Sequence, residues 1–366
     1  MHHLRQTGQT NSTTFRSRLA AGCGALLCAP LLAACTTPTP ETSASTPGAA
    51  SVPAAVDSAQ QNDLRALVAL QDRLYNVAAP LLVKNAALCQ NNARKLFGFT
   101  AKTRYSYSGE FVAAAQSVLG LEDRLKVTGL LPDSGAARAG VRRGDILLAV
   151  DGQPMPQGEN AEREAATLLG PIVASRSSVN LTLLRNGSNL TLNVPLTLAC
   201  AFGVELGNSD NVISYADGRR VLVTRGMMAF TQSDRELAYL LAKEMAHNAL
   251  AHAHRLKMSA TISGIIDNLI LLHPDMSMMG GSAGIKTYSA DQDASAQALA
   301  LYMAARAGYG IDQAASFWNR LALRYPPSVP NGYTAIHPST ASQIALVEKT
   351  VAEIKAKQAA RKPLMP

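Results

Sequence analysis

Apolar residues first fall into helical register after position 58. Leu64, Leu67, Leu70, Leu74 and Val77 recur at three- and four-residue steps, predicting a helix within 59–88 that packs on a larger body. Pro80 is expected to bend or interrupt it, because proline lacks the amide an inner turn needs. Later the period changes to two. Residues 179–195 alternate on either side of Asn186-Gly187, a pair that favours a tight type I′ hairpin. Ile146–Val150 reads as another strand, between the turns Gly144-Asp145 and Asp151-Gly152. Residues 219–225 form a further strand, closed by Gly226. Ser233-Asp234-Arg235-Glu236 is a capping-box pattern that opens a helix into the apolar run Leu237–Leu241. A last helix over Ser339–Lys357 completes the pattern.

The start of the chain is patterned differently. Arg5, Arg16 and Arg18 precede an apolar run, Leu19 to Ala34, too short and too rich in Gly, Ala and Pro to span a membrane. It ends Leu32-Ala33-Ala34-Cys35, which resembles the lipobox of bacterial lipoproteins. That resemblance implies a signal peptide over 1–34, acylation of Cys35 and a lipid that ties the mature protein to a membrane. A plain secretory signal with a chance cysteine is the other reading. Thr36 in place of Asp implies the outer membrane, with the body facing the periplasm. Residues 35–58 are Pro/Ser/Thr/Ala-rich and read as a tether without a core-forming pattern.

Composition narrows the partners. With 47% hydrophobic residues, the chain beyond the tether can bury two modest cores. Removing the three signal arginines leaves 31 basic against 26 acidic residues, a formal charge of +5. No basic stripe with interleaved aromatics is present, so no nucleic-acid partner is expected. Beyond the signal and Cys35, Cys89 and Cys200 are left. In an oxidising envelope they form either a disulfide or two buried thiols.

Residues 125–152 run strand, Pro-Asp-Ser-Gly turn, short Ala-rich helix to Gly140, then the Gly144-Asp145 turn into Ile146–Val150. Together with the 179–195 hairpin they resemble a bacterial PDZ domain, placed at 99–198. PDZ domains bind extended peptides or C-termini by adding a strand to their own sheet. The resemblance implies such polypeptide partners; a spacer that binds nothing is the alternative. Tyr107 to Phe111 is a weak candidate for the carboxylate-binding loop.

The chemistry lies further on. Lys243-Glu244-Met245-Ala246-His247 resembles H-E-x-x-H, in which two histidines on one helix face hold zinc and the Glu is general base. The first histidine is replaced by Lys243. The flanks Glu236-Leu237-Ala238 and Ala246-His247-Asn248, with the later Asp293-Ala294-Ser295-Ala296-Gln297, are similar to the gluzincin family of the CAAX prenyl protease, HtpX and BepA. The resemblance covers 199–366. It implies zinc held by His247 and by Asp293, at a position where the family carries Glu, with Glu244 as base. Gln297 stands where the family has a supporting Asp. His337-Pro338 resembles the family's late histidine near the active site; a turn histidine before the last helix is the other reading. His252 lies wrongly round the helix to pair with His247 and reads as a polar or capping residue. Ile262–Leu272 and Met276–Gly284 form either a lid over the cleft or a core element.

Lysine suits none of this. Its ammonium has no lone pair, and deprotonating a lysine to pH 7 costs about 4–5 kcal/mol. The ammonium is instead expected where zinc would sit, paired with Asp293 or Glu244. The fold expected is α+β: a mainly helical zincin-like peptidase domain with a small sheet, plus a β-rich PDZ domain. Residues 59–98 are expected to be a helical segment packed on the peptidase body. Three functions remain open. They are a degenerate envelope protein that binds polypeptide clients, an active zinc endopeptidase, and a structural lipoprotein.

Overall fold

The computed structural model describes residues 58–107, 109–252, 287–329, 332–338 and 341–366. The expected signal, Cys35, nearly all of the tether and the two segments Ile262–Leu272 and Met276–Gly284 lie outside the described residues.

Helix α1 (Ser58–Lys84) buries Leu74, Val77 and Leu81 in one core, with Leu67 and Leu70 half-buried against it, and buries Leu64 in a separate cluster with Tyr107 and Leu121. It continues through Pro80, so the expected interruption does not occur. The break is avoided near the helix end, where buried Leu81 and Leu82 hold the last turn in the core. Cys89 then bonds to Cys200, with Cα atoms 5.5 Å apart across a sequence separation of 111. Next to the disulfide, β1 (Ala93–Leu96) pairs antiparallel with β8 (Thr197–Cys200), Ala93 opposite Cys200. The chain therefore enters and leaves the intervening module through one stapled ribbon.

That module comprises β2 (Phe99–Lys102), α2 (Val112–Leu119), β3 (Lys126–Leu130), α3 (Gly135–Ala139), β4 (Ile146–Val150), β5 (Gln153–Pro154), α4 (Ala161–Ser175), β6 (Ser178–Arg185) and β7 (Ser188–Pro195). Its antiparallel sheet has the order β2-β3-β4-β6-β7, with β5 on β4. The β6–β7 hairpin turns at Asn186 (φ 50°) and Gly187 (φ 79°), both left-handed as a type I′ turn requires. Gly135 is fixed by space, since a Cβ there would lie 1.7 Å from the Pro195 carbonyl oxygen. Phe97, Phe99, Leu147, Leu169 and Leu181 belong to a core of its own.

In the C-terminal body, β9 (Gly203–Gly207), β10 (Ser214–Ala216) and β11 (Arg220–Thr224) form a sheet of order β10-β11-β9. Strand β9 is parallel to β11, and β10 antiparallel to it. Helices α5 (Arg225–Phe230), α6 (Asp234–Ala249), α7 (Ala290–Arg306), α8 (Ala314–Arg324), α9 (Tyr333–Ile336) and α10 (Ala341–Ala359) complete it. Every residue of α6 from Glu236 to Ala249 is buried. Helix α6 packs along α7, and α1 shares their core, so the N-terminal helix is part of this body. The architecture is α+β. No helix among the described residues is long and apolar enough to cross a membrane.

Candidate active site

Two capped helices and one turn bring the site together. Ser233 Oγ accepts from Glu236 N at 3.3 Å and starts α6. The reciprocal half of the expected box is absent. The Glu236 carboxylate accepts instead from Gln232 N at 2.8 Å and from both terminal nitrogens of Arg320, so it ties α6 to α8. A full capping box opens α7, where Ser289 Oγ accepts from Gln292 N and Gln292 Oε1 accepts from Ser289 N. Helix α6 then presents Lys243, Glu244 and His247 towards Asp293 of α7, and the turn after α9 adds His337. All five are buried; Lys243 is 3% exposed.

Asp293 is the hub. Lys243 Nζ donates to Oδ2 at 2.8 Å, and Gln343 Nε2 donates to the same oxygen at 3.1 Å. His337 Nδ1 lies 2.9 Å from Oδ1, and His247 Nε2 3.3 Å from it. A carboxylate only accepts, so both of those imidazole nitrogens carry their protons. Glu244 forms a second centre. Ser214 Oγ of β10 donates to its Oε1 at 2.8 Å, and His337 Nε2 lies 3.2 Å from that oxygen. Aromatic rings wall the charges in. Lys243 Nζ sits 4.8 Å from the Trp318 ring centre and 5.5 Å from that of Tyr333. Tyr288 stacks on His247 at 3.8 Å, and Tyr333 on His337 at 4.2 Å.

These contacts set the charge states. Burial pulls His247 down to about 4, against its hydrogen bond to Asp293, and keeps it neutral near pH 7. Burial also opposes a charged His337, but Glu244 and Asp293 outweigh it and the imidazole is raised. Burial disfavours a charged Glu244, yet facing His337 lowers it. Asp293 goes well below the usual carboxylate range: burial opposes, and the Lys243 charge and both histidines prevail. Lys243 and His337 thus face the two buried carboxylates of Asp293 and Glu244.

The arrangement joins Lys243, Glu244, His247, Asp293 and His337, all named from sequence, and Lys243 takes Asp293 as its partner. Gln297 is buried on α7 beside the cluster's lysine and His337. His252 lies past the end of α6, where its backbone N–H donates to the His247 carbonyl at 2.9 Å. Ser214, Trp318, Tyr333 and Gln343 carry no motif or period that marks them in the sequence. Tyr288 adjoins the α7 cap and its ring role is equally silent there. In the β-rich module, β2 and β7 end the sheet order, and all four β2 residues are buried while β7 is mostly exposed. Of the weak loop candidate, Ser108 lies outside the described residues and Gly109–Phe111 form a short helical turn into α2.

Zinc needs ligand atoms with free lone pairs that converge on one point. One ligand atom each from His247, Asp293 and His337 lies within 4.8 Å of the others, close enough to converge on one ion. As arranged, they do not fit it. Both Asp293 oxygens accept from protein donors, the facing imidazole nitrogens bear protons, and a dication would meet the Lys243 ammonium beside Asp293.

Comparison with known proteins agrees with both halves of this description. Residues 202–351 match the profile of peptidase family M48, a zinc metallopeptidase family, and residues 126–185 that of a PDZ domain. HhoA of Synechocystis sp., named as a serine protease, is 39% identical over 74 residues, 20% of this chain and 17% of that protein. The chain thus spans about a sixth of that relative's length. The solved HtrA3 PDZ domain, bound to a phage-derived ligand, is 19% identical and covers 29% of this chain and 88% of its own, with a TM-score of 0.22. The HtrA-type protease AlgW with decapeptide is 26% identical over 29% of this chain and 30% of its own, with a TM-score of 0.22. The chain therefore carries a domain of peptidase family M48 together with a PDZ domain.

Proposed function

We propose that this is a degenerate peptidase, a lipid-anchored envelope protein that holds polypeptide clients and does not cut them. One observation carries the reading: the Lys243 ammonium, 2.8 Å from Asp293 Oδ2, takes the place that a zinc ligand and its ion would share. The PDZ match supports client binding through extended peptides or C-termini. The Leu32-Ala33-Ala34-Cys35 sequence supports the anchor at Cys35, and Thr36 an outer-membrane placement facing the periplasm. The PDZ module then acts as the grip on clients in the envelope.

The test is zinc per mole in the purified mature protein after desalting, together with cleavage of unfolded casein by wild type and Glu244→Gln. Sub-stoichiometric zinc in a folded protein, with no Glu244-dependent cleavage, is the expected result. One equivalent of zinc with cleavage lost in Glu244→Gln overturns it. That outcome belongs to a second reading, an active endopeptidase with Glu244 as base, which the close grouping of His247, Asp293 and His337 favours. It requires Lys243 to leave Asp293.

A further inference from the structure

The two ends of the PDZ sheet differ. Strand β2 has four residues, all buried, whereas β7 runs for eight, Ser188–Pro195, and is mostly exposed. A sheet edge offers unpaired backbone groups, and proteins guard it with charges, prolines, bulges or covering elements. Strand β7 has few such guards. It holds no charged residue, and its register with β6 is unbroken from Ser188 to Pro195. Pro195 alone closes it, with its carbonyl oxygen against Gly135 of α3.

Asn180 of β6 shows which backbone groups of β7 face outward. Its N–H donates to Asp151 Oδ1 at 2.8 Å, and its carbonyl accepts from Asp151 N at 2.8 Å. Asn180 therefore gives neither group to its β7 partner Asn193, and theirs is a non-hydrogen-bonded pair. That kind recurs at every second pair, so Thr182–Thr191 and Leu184–Asn189 share it. Asn189, Thr191 and Asn193 thus direct their N–H and C=O groups away from β6, and all three are exposed.

This edge reads the same in both directions: Asn189-Leu190-Thr191-Leu192-Asn193. Two such strands laid antiparallel about a two-fold axis at Thr191 set Thr opposite Thr, Leu opposite Leu and Asn opposite Asn. Three facing pairs then exchange two hydrogen bonds each, and no like charges meet. Asn193 Nδ2 already donates to Asn180 Oδ1 at 3.1 Å. In that register Asn189 of a second copy continues the same amide row.

We propose that β7 is the interface at which a second copy of this chain pairs, antiparallel and centred on Thr191, making one continuous sheet through both PDZ modules. The palindrome favours a copy of the chain over a client strand, since an arbitrary client offers no such match. The pairing is independent of whether His247 and Asp293 ever hold zinc.

Sedimentation velocity of the purified full chain tests it, with Cys35→Ser in every sample so that no acyl chain drives association. An edge pair buries little area, so a dimer with Kd on the order of 10–100 μM is expected. Thr191→Lys and Thr191→Glu sit at an exposed position and bring like charges together on the axis. Each is expected to weaken the dimer about tenfold, and mixing the two to restore it. Thr191→Cys is expected to give a disulfide-linked dimer under mild oxidation, because facing hydrogen-bonded residues have Cα atoms about 5.5 Å apart. Wild type that stays monomeric up to about 500 μM overturns the proposal. So does a dimer that both charge variants leave unchanged. A monomer that binds unfolded casein, with binding lost in Thr191→Lys, assigns the edge to a client strand and overturns it too.

Discussion

Lys243 Nζ lies 2.8 Å from Asp293 Oδ2, so a buried ion pair joins α6 to α7 across fifty residues of sequence. The Lys243 ammonium is the cation that the Asp293 carboxylate faces between the two helices. Removing one partner strands the other charge in the core. Lys243→Met and Asp293→Ala are each expected to cost about 3–5 kcal/mol, and Lys243→Met/Asp293→Leu to recover most of that loss. Urea denaturation measures all three. Single losses below about 1 kcal/mol would show that the pair does not hold the helices.

Restoring a ligand should restore a metal site. Lys243→His exchanges the ammonium for an imidazole beside His247 and frees Asp293 Oδ2 from its strongest donor. The variant is expected to take up close to one zinc per chain where wild type takes up little. Elemental analysis decides it, and thermal stabilisation by added zinc gives an independent readout.

Acid should weaken the fold before carboxylates titrate. Burial lowers His247 to about 4 in the folded chain, against about 6.5 unfolded, so the unfolded state binds the extra proton first. Stability from this group is therefore complete above about pH 6.5 and lost as pH falls towards 4, by about 3 kcal/mol. His337 runs the other way: its raised value gives stability at low pH that fades as pH rises through it. Denaturation midpoints of His247→Gln and His337→Asn across pH 4–8 separate the two. A midpoint profile in His247→Gln that matches wild type between pH 4 and 6.5 refutes the assignment.

The disulfide is expected to matter for the core around α1. Cys89–Cys200 closes a loop whose chain entropy is worth at most about 4.7 kcal/mol, and it sits where the PDZ module joins the α1 core. Cys89→Ala/Cys200→Ala should lower the denaturation midpoint while leaving the PDZ core intact, because that core is a separate cluster. Circular dichroism and amide exchange of the double variant report both effects.

Much of the site was legible because its signals are local. Lys243, Glu244 and His247 stand in one turn-and-a-bit of helix, and a motif of that length survives even with a ligand replaced. The Asn186-Gly187 hairpin is local in the same way, since only residues tolerant of positive φ fit such a turn. Pro80 was misleading for a physical reason. A proline removes one backbone hydrogen bond, and packing of Leu81 and Leu82 in the core outweighs that loss. Glu236 misled similarly, because Arg320 of α8, 84 residues on, competes for its carboxylate.

By itself the sequence determined most element types, and its resemblances implied the two modules and a lysine where the H-E-x-x-H pattern has its first histidine. Those follow from period, turn chemistry and a short motif. Only the tertiary structure decided that Cys89 meets Cys200. It also set Lys243, His247, His337 and Gln343 on one carboxylate, and walled them with Tyr288, Trp318 and Tyr333. Such partners come from distant segments, and a buried charge selects them by satisfaction in space, which no local pattern records.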